Sequence, residues 1–158
     1  MLAACGATTE EDETSSEEQA AALNEVLAQQ LAVLDAARAA AKGAPEQASA
    51  AIATLVNLRD RSAQALAATI GDVGGSATKE AAEQAAQAES AVEGLARQLE
   101  ASVAATLAAV GDLASEQRQP VQRAIVEDAA TLAVLRATLG EDPAPDAFVL
   151  GPPAEGES

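Results

Sequence analysis

The sequence predicts an all-α protein, an antiparallel four-helix bundle forming one domain, on three observations. Alanine, the best helix former, fills 44 of the 158 positions, and the rest of the middle is mostly Leu, Gln, Glu and Arg. β-Branched residues nowhere alternate with the period of two that marks a strand. Glycine and proline break the helical text at Gly43-Ala44-Pro45, Gly71–Ser76 and Gly111-Asp112. These breaks disfavour a long two-stranded coiled coil. They leave four amphipathic rods of roughly 30–45 Å at 1.5 Å per residue, which bury their apolar stripes most economically against one another.

The first helix is expected to open at Ser15 or Ser16, with Glu18 or Gln19 as capping-box partner, and to end at Lys42 with Gly43 as C′ and Pro45 as a stop. Its stripe is Leu23, Val26, Leu27, Leu31 and Leu34. The second runs from Pro45 to about Ile70 on Ile52, Leu55, Val56, Leu66 and Ile70. The third is expected after Thr78 and reaches about Val110 on Val92, Leu95, Leu99, Val103, Leu107 and Val110. Residues 79–91 offer no apolar type but alanine, so a crossover is the alternative there. Ser115 caps a short turn in this reading. The fourth helix starts near Pro120, runs to Leu139 on Val121, Ile125, Leu132, Leu135 and Leu139, and takes Gly140 as C′. The chain thus divides into a leader remnant (1–4), a flexible acidic tether (5–15), the bundle (16–140) and a Pro-rich tail (141–158).

Composition closes off several chemistries. The formal charge is −16, and most of it lies in the ends: residues 1–19 carry six acids and no base, residues 141–158 five acids and no base. Such ends have little apolar surface to bury and are expected to be solvated and disordered. The middle holds 14 acids and all nine bases, and those bases are scattered singly, so no nucleic-acid groove is expected. There is no His, Trp or Tyr, which excludes His-ligated metals, a Ser-His-Asp triad and an aromatic stacking platform. One Cys makes no internal disulfide. Gly71–Ser76 lacks the strand and Lys of a phosphate loop, and adjacent carboxylates such as Glu127-Asp128 point apart on a helix. No catalytic residue and no cofactor is therefore expected.

Each stripe turns polar near its middle. Gln30 sits among the leucines of the first helix; Arg59 and Ser62 fall inside the second stripe. Ser102 and Thr106 border the third, with Glu100 to one side, and Asp128 with Thr131 interrupts the fourth. Together they predict one polar layer at mid-height, the level at which helical bundles build metal and cofactor sites. An isolated buried charge costs several kcal/mol, so Arg59 and Asp128 are expected to pair, with Gln30, Ser62 and Thr131 completing their hydrogen bonds. A layer that fixes register is the favoured reading; a small-molecule pocket in it would need roughly 300 Å³ or more.

Met1-Leu2-Ala3-Ala4-Cys5-Gly6 resembles the lipobox of bacterial lipoproteins. The resemblance implies a diacylglycerol on the Cys5 thiol, cleavage just before it and a chain anchored outside the cytoplasm on the cell membrane. The Ser-, Thr- and Glu-rich stretch that follows suits a tether lifting a domain off a bilayer.

Residues 20–151 also resemble a ferritin-like four-helix domain of actinobacterial proteins. The resemblance lies in Leu23-Asn24-Glu25-Val26-Leu27-Ala28-Gln29-Gln30-Leu31-Ala32, in Thr131-Leu132-Ala133-Val134-Leu135-Arg136-Ala137-Thr138-Leu139-Gly140 and in Ala147-Phe148-Val149-Leu150-Gly151. It implies that metal-binding relatives carry Glu where this chain has Gln30. They carry Glu-x-x-His where it has Arg59 and Ser62, and again where it has Asp128 and Thr131. Every such position departs except the shortened carboxylate at Asp128. The expectation is a metal-free, non-catalytic module of the bacterial envelope, held by its lipid and binding an envelope protein or serving as a structural element. The alternative is a metal protein or oxidoreductase using a reduced site of Asp128 and Glu100.

Overall fold

The computed structural model describes residues 15–84 and 88–143. Cys5, most of the tether and nearly all of the tail lie outside the described residues. Four helices form the body: α1 (Ser16–Ala40), α2 (Glu46–Asp72), α3 (Ala91–Ala109) and α4 (Ser115–Leu139), with a 3-10 turn over Val110–Asp112. Among the described residues there is no strand.

The helix ends follow local chemistry. Ser15 is the N-cap of α1: its hydroxyl accepts from the Glu18 N–H at 3.2 Å while its own N–H gives to Glu18 Oε2 at 2.9 Å, the reciprocal capping box. α1 stops at Ala40, and Gly43 does not take the left-handed conformation expected of C′. α4 ends as expected on Gly140 at φ +77°, where the Glu141 N–H closes onto the Arg136 carbonyl at 2.9 Å.

Two boundaries differ from the sequence reading. α3 begins at Ala91, capped by Ser90 accepting the Glu93 N–H at 3.1 Å, and not after Thr78. The crossover alternative is the one observed: residues 77–84 and 88 have no regular structure. Alanine propensity there lost to geometry. α2 descends the bundle over 27 residues, about 40 Å. The chain must climb back before α3 starts, and residues 79–90 would rise only about 18 Å as a helix against up to about 40 Å extended. α4, in turn, begins at Ser115, so Pro120 lies inside its second turn rather than at its start.

The crossover is fastened along α1. Asn24 clamps it from both sides, Nδ2 giving to the Ser76 carbonyl at 3.1 Å and Oδ1 accepting the Thr78 N–H at 2.7 Å. Further up, the Ala82 N–H gives to the Ala28 carbonyl at 2.9 Å. The turn into this segment needs glycine, because a Cβ on Gly75 would stand 2.7 Å from Ala20 Cβ and 3.0 Å from Ile70 Cγ2. Gly75→Ala is therefore expected to lower stability by about 1–3 kcal/mol through overpacking. An unchanged melting temperature by circular dichroism would contradict this packing.

α1 packs on α2 and α3, and α4 on the same two, so α1 faces α4 across the bundle. The core splits into two clusters. One joins the end of α1 (Val33, Ala37, Ala40) to the starts of α2 and α3 (Ile52, Leu55, Leu95, Leu99) and the end of α4 (Leu132, Leu135). The other joins the start of α1 (Leu23, Val26, Leu27) to the end of α2 (Leu66, Ile70), Leu113 and Val121. Hence α1 and α4 run one way, α2 and α3 the other, and all packed neighbours are antiparallel. Ala32, Ala37, Ala40 and Ala48 are fully buried, which lets the helix backbones approach closely.

Leu107 corrects the third stripe. It is 57 % exposed, and Thr106 takes the inward place instead. At 3.6 residues per turn the face running through Leu95, Leu99 and Ser102 arrives at 106, and residue 107 is turned about 100° away from it. Among the described residues, no helix is long and apolar enough to cross a membrane.

Candidate functional site

The polar layer lies where the sequence places it, between the two apolar clusters. Gln30, Arg59, Ser102 and Asp128 are all buried, one from each helix, and Arg59 has no exposed surface at all. Ser62 and Thr131 are only half-buried, at the rim.

The expected ion pair forms: Arg59 Nη2 stands 2.9 Å from Asp128 Oδ1. Nη2 also donates to the Ala124 carbonyl at 3.0 Å, one helical turn before Asp128, and lies 3.5 Å from Glu127 Oε2. No N–H of Arg59 is aligned on Asp128 Oδ1, so that contact is one of charge rather than a directed hydrogen bond. The supporting cast differs from expectation. Thr131 Oγ1 donates to the Glu127 carbonyl of its own helix at 3.0 Å, and Gln30 Oε1 has no partner. Instead α4 supplies the main-chain oxygen of Ala124 and a second carboxylate, Glu127, itself held by Arg123 Nε at 3.1 Å. The reason is reach. An α2 guanidinium crossing to α4 meets residues one turn apart on the facing helix before it meets side chains of α1 or its own helix.

The electrostatics are set by burial. Withdrawal from water raises the Asp128 carboxyl to about 6, Arg59 pulls the other way, and Glu127 beside it adds to the rise. Arg59 Nε and Nη1 and the Ser102 hydroxyl have no hydrogen-bond partner. Gln98, which the sequence reading passed over, is buried beside them on α3. The signal was present, since positions 98, 102 and 106 form one polar row at spacing four beside the Val/Leu stripe.

Asp128 and Glu100, the carboxylates of the metal alternative, are each engaged by a guanidinium, Glu100 by Arg136. Among the described residues no three His, Cys, Asp or Glu side chains gather as a metal-binding group. A groove of about 550 Å³ opens beside α1 and the start of α3, lined by Ala36, Gly94, Leu95 and Gln98; it is not lined by Arg59 or Asp128. Another, of about 380 Å³, lies at the opposite end. No known family model matches the chain, and no curated protein is significantly similar to it.

Proposed function

We propose that the chain is a membrane-anchored bacterial lipoprotein whose ferritin-like bundle is metal-free and non-catalytic, acting as an envelope binding or structural module. The observation that carries this reading is the Arg59–Asp128 pair. Arg59 occupies a position where metal-binding relatives are expected to hold a Glu ligand. A guanidinium is a cation with five donors and no acceptor, so it repels a metal ion at that height. Gln30 and Thr131 supply neither carboxylate nor imidazole at the corresponding places of α1 and α4. Support for the scaffold comes from its connectivity: one long crossover, between α2 and α3, is the arrangement of ferritin-like bundles.

The anchor rests on Leu2-Ala3-Ala4-Cys5 and the acidic stretch after it. Two acyl chains give stable attachment where one would be marginal. The test is growth in radiolabelled palmitate, in a bacterial host expressing the chain with its native upstream codons. The protein is expected to carry label, and Cys5→Ala to lose it. Unlabelled protein would remove the anchor from the proposal. Elemental analysis after iron and manganese feeding tests the rest, and one or two ions held per chain would favour the carboxylate metal protein instead.

A further inference from the structure

The outward sides of the helices differ in chemistry. Those of α1 and α2 carry exposed charges such as Glu25, Asp35, Arg38 and Arg61. Among the described residues, the large apolar side chains left exposed are Leu107, Val126 and Val134, at 57 %, 67 % and 39 %, and all three belong to α3 and α4. On α4, Val126, Ala130, Ala133, Val134 and Ala137 share the side turned away from the bundle. The charged residues of that stretch are engaged elsewhere: Glu127 on Arg59 and Arg123, Arg136 on Glu100 of α3, and Asp128 in the buried layer. α3 carries no charge from 101 to 111. Leu107 lies two turns from Glu100 on the side of α3 that meets Arg136, so it borders the α4 face.

This face is its own complement. Val126 and Val134 stand one turn either side of Ala130. A second copy laid antiparallel across Ala130 sets each Val126 against Val134 of the second copy, with alanines between them that let the backbones approach. The same register brings the basic start of α4, Arg118 and Arg123, toward Glu141 and Asp142 beyond its end, and opposes the two helix dipoles. A parallel pairing would set base on base and acid on acid. α4 and α3 are 25 and 19 residues long. At 1.5 Å per residue and about 10 Å of width each, they offer roughly 650 Å² per copy. Two such surfaces make about 1,300 Å², within the range of specific interfaces. We propose that this face pairs two copies of the chain about a two-fold axis at Ala130, α4 against α4, with α3 flanking the contact. A lipid surface suits it less, because anionic headgroups are met by basic clusters and this face ends on Glu141 and Asp142. The pairing is independent of the lipid anchor and of the mid-height layer.

The test is sedimentation equilibrium of the full chain under reducing conditions, up to about 1 mM. A monomer–dimer equilibrium with a Kd of about 100 µM or tighter is expected. Val126→Lys and Val134→Glu each place an uncompensated charge in the contact, and each is expected to weaken it at least about tenfold. The double variant sets the two opposite charges against each other on both sides of the axis. It is expected to return to within about threefold of the parent, a coupling that only the antiparallel register produces. Both sites are exposed and both new residues are good helix formers, so the fold is kept, as circular dichroism checks. A chain still monomeric at about 1 mM, single variants that associate like the parent, or a double variant no tighter than the weaker single would each overturn the proposal. Two other results would overturn it by naming another occupant. A monomer that cosediments with phosphatidylcholine vesicles, and ceases to with Val126→Lys, gives the face to a membrane. A monomer in which Val126→Lys moves the amide resonances of 144–158 gives it to the end of the same chain.

Discussion

Arg59→Leu is expected to lower stability by about 3–5 kcal/mol, a loss comparable with the whole stability of many small domains. The side chain has no exposed surface, and it supplies the counter-charge of Asp128 at 2.9 Å and the donor of the Ala124 carbonyl at 3.0 Å. Leucine fills part of the volume but leaves a carboxylate in a dry layer without its counter-charge, and leaves the Ala124 carbonyl only the N–H of its own helix. The cost therefore comes from the groups left behind more than from the pair itself. That distinction has a measurable consequence. Desolvating two ions is expensive, and an all-apolar replacement removes the expense together with the attraction. The double variant Arg59→Met, Asp128→Leu is accordingly expected to recover to within about 1 kcal/mol of the parent or to exceed it. Urea unfolding of the parent, both single variants and the double variant closes the cycle. A loss below about 1 kcal/mol in Arg59→Leu, or a double variant as unstable as the two singles summed, would show that the pair does not govern the layer.

If the double variant does recover, the pair is retained for something other than stability. Register is one such role. The two apolar clusters above and below are built from similar small aliphatic residues, so a shifted pairing of helices would cost them little. Only in the observed register does an α2 cation meet α4 carboxylates. The double variant would then keep its stability and lose uniqueness, visible as broadened or doubled amide resonances.

How far the sequence carried the fold depended on what each residue could bury. The capping box at Ser15 and the stop at Gly140 were legible because both are local, each set by bonds within a few residues. The polar layer was legible because Gln30, Arg59 and Asp128 interrupt stripes whose period is fixed by the helix. The start of α3 was not, since residues 79–84 and 88–90 have helix propensity and their lack of helix is imposed by the distance to be climbed, a property of the assembled bundle. Pro120 misled for a related reason: at a helix start proline costs little, and only the packing of Gln117 and Val121 draws the turn before it into α4. Leu107 shows the limit of stripes on long helices, where a period of 3.6 drifts off any row spaced by four. At the site, the ion pair followed from charge balance. The Ala124 carbonyl and Glu127 did not, because backbone acceptors and rim carboxylates leave no mark in a hydropathy pattern. The groove of about 380 Å³ was equally hidden, for it brings together α1, α2 and α4 residues from 23 to 120 that share no motif.

Stability is expected to rise as the pH falls from about 7.5 to about 5, and Asp128 is expected to be the cause. Its carboxyl titrates at about 6 in the fold against 3.8 when free, raised because burial disfavours the charged form more than Arg59 favours it. A folded-state value above the unfolded one means that the native protein holds this proton more tightly. The corresponding stabilisation, about 3 kcal/mol at most, is complete below about pH 4 and is lost as the pH climbs through about 6. Glu127 Oε2 lies 3.5 Å from the same Arg59 Nη2, so a second carboxyl stays beside the guanidinium. Other carboxylates run the opposite way: hydrogen bonds at Ser15 hold Glu18 below its ordinary range, and the Glu89 N–H does the same for Glu93, so both withdraw stability only at more acid pH. Between about pH 5 and 7.5 neither of these two opposes the Asp128 effect, worth about 1.4 kcal/mol for each unit the pH lies below 6. Urea midpoints measured across that window in the parent and in Asp128→Asn give the answer. The asparagine has no proton to take up, so its profile is expected to be flat where the parent's slopes. Parallel profiles, or a parent that weakens on acidification to pH 5, would mean that the carboxyl meets water in the folded protein and that the layer is not the dry junction between two apolar clusters described here.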